Sequence, residues 1–432
     1  MFTYASRPAG RAFLILALGG QPHAVSAQMP DLHALSIAQS EQLLQARNRE
    51  LRAARRAVEA AQAGTLSAGA PPNPILSLGV AGINPSAGVG AGPVRDKTVD
   101  STVRIDQVLE GGDRRQLRVA TAQRLQSASG ADLSDVYRQQ RVVVRSAYYD
   151  LLFAQNKAGI LQDNATLFES STRAAELRLK AGDIASADVS RLRVDALRAA
   201  NDARAADADR RRAQLSLAYL IGAEVQAADI RATDPWPDVV TVDAEAATDE
   251  LIDQRPDVRA AKSRLEAAES ARQLARSLRT RDVTVGAQFE HYPVGAGMNT
   301  FGTGNSYGVF LSVPLFARYQ FEGEIQRAEV DYTAAMETLE KVRALARAEL
   351  ARAFSDLQST GERLKRFDES LLPEAAKAAE SAEFAYKNGA IGVMDLLDSR
   401  RTQRAIQIDA ASARNDYSKA LSVWLAGMGR LD

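Results

Sequence analysis

The chain has 432 residues, 54 Lys+Arg against 54 Asp+Glu, and no cysteine. A formal charge of zero gives no global attraction to nucleic acid. The absence of cysteine excludes disulfides, thiolate zinc sites, thiol nucleophiles and lipidation on an N-terminal cysteine, and three histidines, His23, His33 and His291, are too few for a histidine-built metal centre.

Residues 1–27 read as a secretory signal: Arg7 and Arg11 are its basic region, Ala12 to Leu18 its apolar run, and Val25-Ser26-Ala27 its small-residue cleavage site, with Gln28 as the mature start. Cleavage would leave 52 basic against 54 acidic side chains. Beyond residue 28 no apolar run reaches the about 18 residues of a membrane-spanning helix. The rest of the chain is a module used twice, at an offset of about 206 positions: Ala175 to Gly182 answers Ala382 to Gly389, Tyr148 to Leu151 answers Phe354 to Leu357, and Gly222 answers Gly429.

The first module spans 28–230. It opens with a helix over 36–68, continues with a strand pair at 74–83 and 99–108 split by the Gly88–Gly92 loop, and then runs into a very long helix over 113–181. In that helix Val144, Tyr148, Leu151, Ala154, Ala158, Leu161, Ala165, Phe168, Thr172, Ala175 and Leu179 recur at spacings of three and four, a coiled-coil stripe. Such a helix is roughly 100 Å long, at about 1.5 Å per residue. A glycine turn at Gly182 leads to a return helix over 185–221. A linker over 231–244, with Thr233-Asp234-Pro235-Trp236-Pro237, joins the second module, 245–432. That module has a helix over 245–279, a strand pair at 282–291 and 306–313, a long helix over 322–388 that Pro373 should kink or break, a turn at Gly389 and a return helix over 392–427.

The strands alternate. Val283, Val285, Ala287, Phe289 and His291 oppose Thr284, Gly286, Gln288 and Glu290; Tyr307, Val309, Leu311 and Val313 oppose Gly308, Phe310 and Ser312; Val103, Ile105 and Gln107 oppose Arg104 and Asp106. One apolar and one polar or small face over about ten residues is the transmembrane barrel pattern, although a soluble half-buried hairpin fits each segment by itself about as well. Four strands cannot close a barrel, and an open edge in lipid is prohibitive. Two chains give eight strands with a filled interior, and three give twelve with room for a conduit. The expected fold is therefore mixed: mainly long α-helical coiled coil forming a trimeric α-barrel, with four strands per chain in a shared 12-stranded β-barrel. The glycine loop has no phosphate-binding context, and no zinc-hydrolase helix, nucleophile elbow or triad is present, so no catalytic residue, metal site or cofactor is expected. A periplasmic coiled-coil protein without a pore is the alternative of another class.

Several runs resemble the TolC-type outer-membrane efflux proteins, and within them the CzcC-like heavy-metal efflux branch. Pro72 to Leu78 is similar to the family's first-strand entry, Asp106 to Arg114 to its strand-to-helix hinge, Val313 to Arg318 to the second hinge, Arg255 to Ala261 to the opening of module two, and Tyr386 to Gly389 with Asp395 to Asp398 to its helix tip. Two positions depart: Val108 stands where the family often has proline, and Ile391 where some members carry a gating arginine. The resemblance implies a homotrimeric channel-tunnel in the outer membrane of a Gram-negative bacterium, with helices extending into the periplasm. It would serve as the passive exit of a tripartite pump, beside a periplasmic adaptor (membrane fusion) protein and an inner-membrane proton-driven (RND-type) transporter. Heavy-metal cations are the implied cargo; a duct for type I protein secretion or drug efflux is the alternative. The resemblance puts the periplasmic gate at Asp395, Asp398 and Tyr386, and adaptor docking at the two tips, Gly182, Asp183, Ile184, Asp188, Gly389, Ala390, Ile391 and Val393. Asp395 and Asp398, three residues apart near a helix start, are otherwise read as solvated acids favoured by the helix N-terminus. Ile184 and Ile391, apolar at the tips, suit either a partner surface or tip packing within the trimer.

Overall fold

The computed structural model describes residues 31–83, 99–240, 249–292 and 304–429. The signal, the Gly88–Gly92 loop, the segment 293–303 between the strands of the second pair and the end of the linker lie outside the described residues. Where the sequence suggests one opening helix, two form: α1 (Ile37–Arg47) and α2 (Arg49–Gly69). Ser36 and Gln39 build a capping box on α1. The break comes at Asn48, whose buried side chain accepts the Leu51 N–H at 3.1 Å and donates to the Leu220 carbonyl at 3.0 Å. A residue that caps the next helix at extended φ/ψ cannot also continue the previous one.

Strands β1 (Ile75–Ala81) and β2 (Asp100–Leu109) come next in the chain, and then α3 (Arg114–Lys180) and α4 (Ser186–Ile221), which ends at Gly222 with φ of 67°. The second repeat contains α5 (Asp249–Gln254), α6 (Pro256–Ser277), β3 (Val283–Tyr292), β4 (Gly304–Ser312), α7 (Glu322–Arg366), α8 (Leu372–Lys387) and α9 (Val393–Gly427). The two hairpins join edge to edge. β2 pairs antiparallel with β3, from Ser101 opposite His291 to Leu109 opposite Val283, which gives one sheet in the order β1-β2-β3-β4.

The helices form a wall. On the sheet side α2 packs on α3, α3 on α6, and α6 on α7; towards the far end the neighbours run α4, α3, α9, α8. Every stripe residue of α3 is buried or half-buried, because a helix about 100 Å long has only other helices to cover it. Where the repeats meet, Tyr148 is fully buried; its hydroxyl donates to the Leu35 carbonyl at 2.9 Å and accepts the N–H groups of Thr233 and Asp234 at 3.1 and 3.0 Å. Trp236 stacks on Tyr149, so the linker is clamped to the first repeat. Tyr417 holds the linker's other end, accepting from Val240 N–H at 2.8 Å.

Between α7 and α8 lies a π-helical turn, Phe367–Leu371. It explains a change in the repeat's register. Before it, equivalent buried positions are 206 apart (Val144 and Leu350, Leu151 and Leu357); after it they are 207 apart (Phe168 and Ala375, Thr172 and Ala379). A π turn accommodates one extra residue within a continuing helix. Pro373 sits just past it, in the first turn of α8, where its missing N–H costs little. The expected break at the proline is thus a widened turn before it.

Candidate functional site

The strand register sorts the sheet's side chains onto two faces. One carries Leu76, Leu78 and Val80 on β1, Val103 and Ile105 on β2, Val285, Ala287 and Phe289 on β3, and Tyr307, Val309 and Leu311 on β4. Most of these are exposed, among them Leu78, Tyr307, Val309 and Leu311 at 71% or more. The opposite face carries Ser77, Gly79, Asp100, Thr102, Arg104, Asp106, Thr284, Gly286, Gln288, Glu290, Ser306, Gly308 and Phe310, with Ile75, Ala81 and Val108 towards the strand ends. A single layer, apolar on one side, mainly polar or small on the other and, among the described residues, unpaired at β1 and β4, is stable in a membrane only after closure.

The sheet is fixed to the helices by a knot between the repeats. Arg114 opens α3, and its guanidinium is mostly buried. It bonds Asp282 at 2.6 Å, the Leu278 carbonyl at 3.0 Å and the Thr280 carbonyl, so that it covers the carbonyl end of α6. Asp282 also accepts the Gly111 N–H at 3.0 Å, and Arg118 pairs with Glu110. The hydrogen bond from Arg118 outweighs burial and holds the Glu110 carboxyl below its ordinary value. At both strand-to-helix hinges the residue before the long helix has a left-handed backbone without being glycine, Asp113 with φ of 55° and Phe321 with φ of 64°. The chain turns sharply there at some local cost.

At the other end the two tip turns are alike. Gly182 (φ 83°) and Gly389 (φ 72°) occupy the left-handed region. Asp183 N–H donates to the Arg178 carbonyl at 2.9 Å, and Ala390 N–H to the Ala385 carbonyl at 2.8 Å. This is the six-to-one closure of a glycine-ended helix. Ile184 is half-buried against the tip cluster of Phe168, Ala175, Val189, Leu192 and Leu397, and so is Val393. Ile184 therefore belongs to tip packing within the chain more than to an exposed surface. Ile391 is half-buried, Asp188 faces Arg191 at 3.8 Å, and Gly182, Asp183, Gly389 and Ala390 are exposed.

The three residues assigned to the gate lie around the second tip. Asp395 accepts the Gly392 N–H at 3.2 Å, which is the capping role; Asp398, one turn on, is exposed with no ion pair among the described residues. The Tyr386 hydroxyl accepts from Arg178 Nη1 at 3.1 Å, linking the tip of one repeat to the tip of the other. Arg401 of α9 pairs with Asp195 of α4 across the same joint. Lys387 and Arg400 both bind Glu383 and hold its carboxyl below the ordinary value, chiefly through the hydrogen bond from Lys387.

Sequence reasoning by itself does not single out Arg178, Leu177 or Phe384. Leu177 and Phe384 are equivalent in the repeat, five positions before each tip glycine, and both are strongly exposed, at 66% and 71%. The repeat alignment contains this signal, since both positions hold large apolar residues on the side of the helix away from its buried stripe. α3 already has α9 against it, yet Leu177 stays open. By the repeat's symmetry, the equivalent contact on α8 would leave Phe384 open as well.

Among the described residues no group of three or more His, Asp or Glu could hold a metal ion, and no helix is long and apolar enough to cross a membrane. The arrangement suits passage along a wall. A family model described as "Outer membrane efflux protein" matches residues 41–223 and 247–423, one match per repeat. The cobalt-zinc-cadmium resistance protein CzcC of Cupriavidus metallidurans is 24% identical over 369 residues, 82% of this chain and 80% of that protein. The pyoverdine export outer membrane protein OpmQ of Pseudomonas putida is 28% identical over 228 residues, 48% of this chain and 46% of that protein. The crystal structure of the Campylobacter jejuni CmeC outer membrane channel superposes with a TM-score of 0.75 at 14% identity, over 92% of this chain and 87% of that one.

Proposed function

The chain belongs to the outer membrane efflux protein family, and we propose that three copies close a 12-stranded barrel in the outer membrane, continued by a helical tube in the periplasm. The observation that carries this is the open sheet: an exposed apolar face, a polar face behind it and two unpaired edges, joined to a helix of 67 residues. In the trimer β4 of one copy meets β1 of the next, and α8 meets the next copy's α4 as α3 meets α9 within the chain. The protein supplies a path and performs no chemistry.

A periplasmic adaptor and an inner-membrane proton-driven transporter supply the cargo, for which heavy-metal cations are our reading, supported by the likeness to CzcC over most of both chains. The tips form the closed end. Asp395 and Asp398 of three copies surround the axis as acidic rings that concentrate cations, and the Arg178–Tyr386 contact holds neighbouring tips together. Adaptor helices seat on the tips around Gly182, Asp183, Gly389, Ala390 and Ile391. Six exposed side chains, Leu177 and Phe384 from each copy, stay open after ring closure and supply apolar contact.

The experiment is export of zinc, cobalt and cadmium by cells lacking the gene and complemented with it, alongside conductance of the purified protein in planar bilayers. Conducting trimers that restore metal tolerance support the reading. Conducting trimers that restore export of an organic chelator or drug, and leave metal tolerance unchanged, would replace the cargo and keep the duct. Protein that never conducts would sink both.

A further inference from the structure

The polar face of the sheet holds four charged side chains among its described residues: Arg104 against Asp100, Asp106 and Glu290. Its arginine does not project freely. The Arg104 Nε and Nη2 atoms bond Asp106 Oδ1 at 2.9 and 2.8 Å, with a further 2.8 Å bond from Nε to Oδ2, and the guanidinium lies 4.4 Å over the Phe310 ring. This folded arrangement is built by the sheet around it. Asp106 lies opposite Gly286, where a Cβ would overlap its Oδ1. Phe310 of β4 leans back over Gly308, where a Cβ would come within 3.0 Å of the ring. Two glycines in adjacent rows therefore leave room for an arginine, a carboxylate and an aromatic ring to lie flat on the wall.

We propose that Asp106 sets the ion preference of the barrel half of the duct by neutralising the lumenal arginine. With Arg104 paired and laid on Phe310, the remaining charges among the wall's described residues are Asp100 at the start of β2 and Glu290 near the end of β3, both towards the loop end of the strands. Among the described strand residues, one arginine against three carboxylates is a net −2 per protomer, and −6 around a trimer. The barrel exit is then cation-preferring by itself, independently of carboxylates at the far tips. Charges on the wall act across the lumen at low salt, where the screening length is about 30 Å at 0.01 M, and lose their reach at 1 M, where it is about 3 Å.

The inference rests on the closed barrel proposed above, and the test separates the two. Reversal potentials are measured for purified trimers in planar bilayers under a tenfold KCl gradient, all in an Asp395→Asn/Asp398→Asn background so that the two proposed gate carboxylates are absent and the other tip charges are the same in every variant. Asp106→Asn halves the net lumenal charge and frees Arg104, so the cation-over-anion permeability ratio should fall roughly twofold or more at low salt. Arg104→Gln should raise it. The double variant Arg104→Gln/Asp106→Asn keeps the net charge and should return to the parent value. The differences should vanish near 1 M salt, a salt dependence that a purely structural role would not produce. If the parent never conducts, the barrel reading fails. If it conducts and neither single variant shifts the reversal potential at low salt, this inference is overturned. Should Asp106→Asn not assemble, an unchanged potential in Arg104→Gln overturns it equally.

Discussion

Replacing Tyr386 by Phe removes one hydroxyl and keeps the ring. The lost contact is the 3.1 Å hydrogen bond from Arg178, which joins the long-helix ends of the two repeats. At an exposed site such a bond contributes about 0.5–1.5 kcal/mol, and solvent favours the lower figure. A trimer holds three copies. If the tips open together, the loss is roughly 1.5–4.5 kcal/mol per channel, a tenfold to thousandfold rise in the open-to-closed ratio. The assay is single-channel open probability in planar bilayers, with trimer yield measured in parallel. Arg178→Met should have the same effect, and the double variant should add nothing to either single one, because both remove one contact. Unchanged open probability in well-assembled Tyr386→Phe trimers, or effects that simply add, would show that this contact does not hold the tips shut.

Tyr148→Phe strips a buried hydroxyl from the Leu35 carbonyl and the Thr233 and Asp234 N–H groups, and should destabilise the protein by about 1–3 kcal/mol in thermal melts. Burial, partly offset by the backbone hydrogen bonds from Asp234 and Thr233, pushes the Tyr148 hydroxyl up to about 12. The raised value favours the neutral phenol in the fold, so its stabilisation is complete below about pH 10 and lost as pH rises towards 12; Tyr148→Phe should flatten the alkaline side of the stability profile. Arg114→Leu leaves Asp282 and the end of α6 without their cation, and should cost about 3–5 kcal/mol and lower trimer yield in the outer membrane. Asp113, with φ of 55° and no side-chain capping bond, should tolerate glycine within about 1 kcal/mol, whereas valine should cost about 1–2 kcal/mol in the same melts.

The long helices, the duplicated order and the tip glycines were legible because each rests on local chemistry: three-four spacing, glycine at a reversal, and alternation in strands. Joining β2 to β3 was not, since Leu109 and Val283 are far apart in the chain and alternation does not say which edge meets which. The π turn was hidden for a different reason: one added residue changes an offset from 206 to 207 without disturbing hydrophobic spacing on either side. Asn48 reads as an ordinary helical residue until Leu51 and Leu220 are seen to use it. At the tips, the sequence placed Ile184 at an exposed turn, and the fold turns it towards Phe168 and Val189. Leu177 and Phe384 became visible as a pair only when burial distinguished them from the stripe beside them.

A duct of this kind depends above all on closure of the open sheet by further copies, through an edge at β4 and an edge at β1. Mass measurement of the detergent-purified protein, by native mass spectrometry or light scattering, tests this directly. Three copies per particle, with a cross-link forming between cysteines introduced at Leu78 on β1 and Val309 on β4 of different chains, which lie on the same apolar face, is the expected result. A stable monomer with its full strand content, and no cross-link between chains, would contradict the barrel and the duct together.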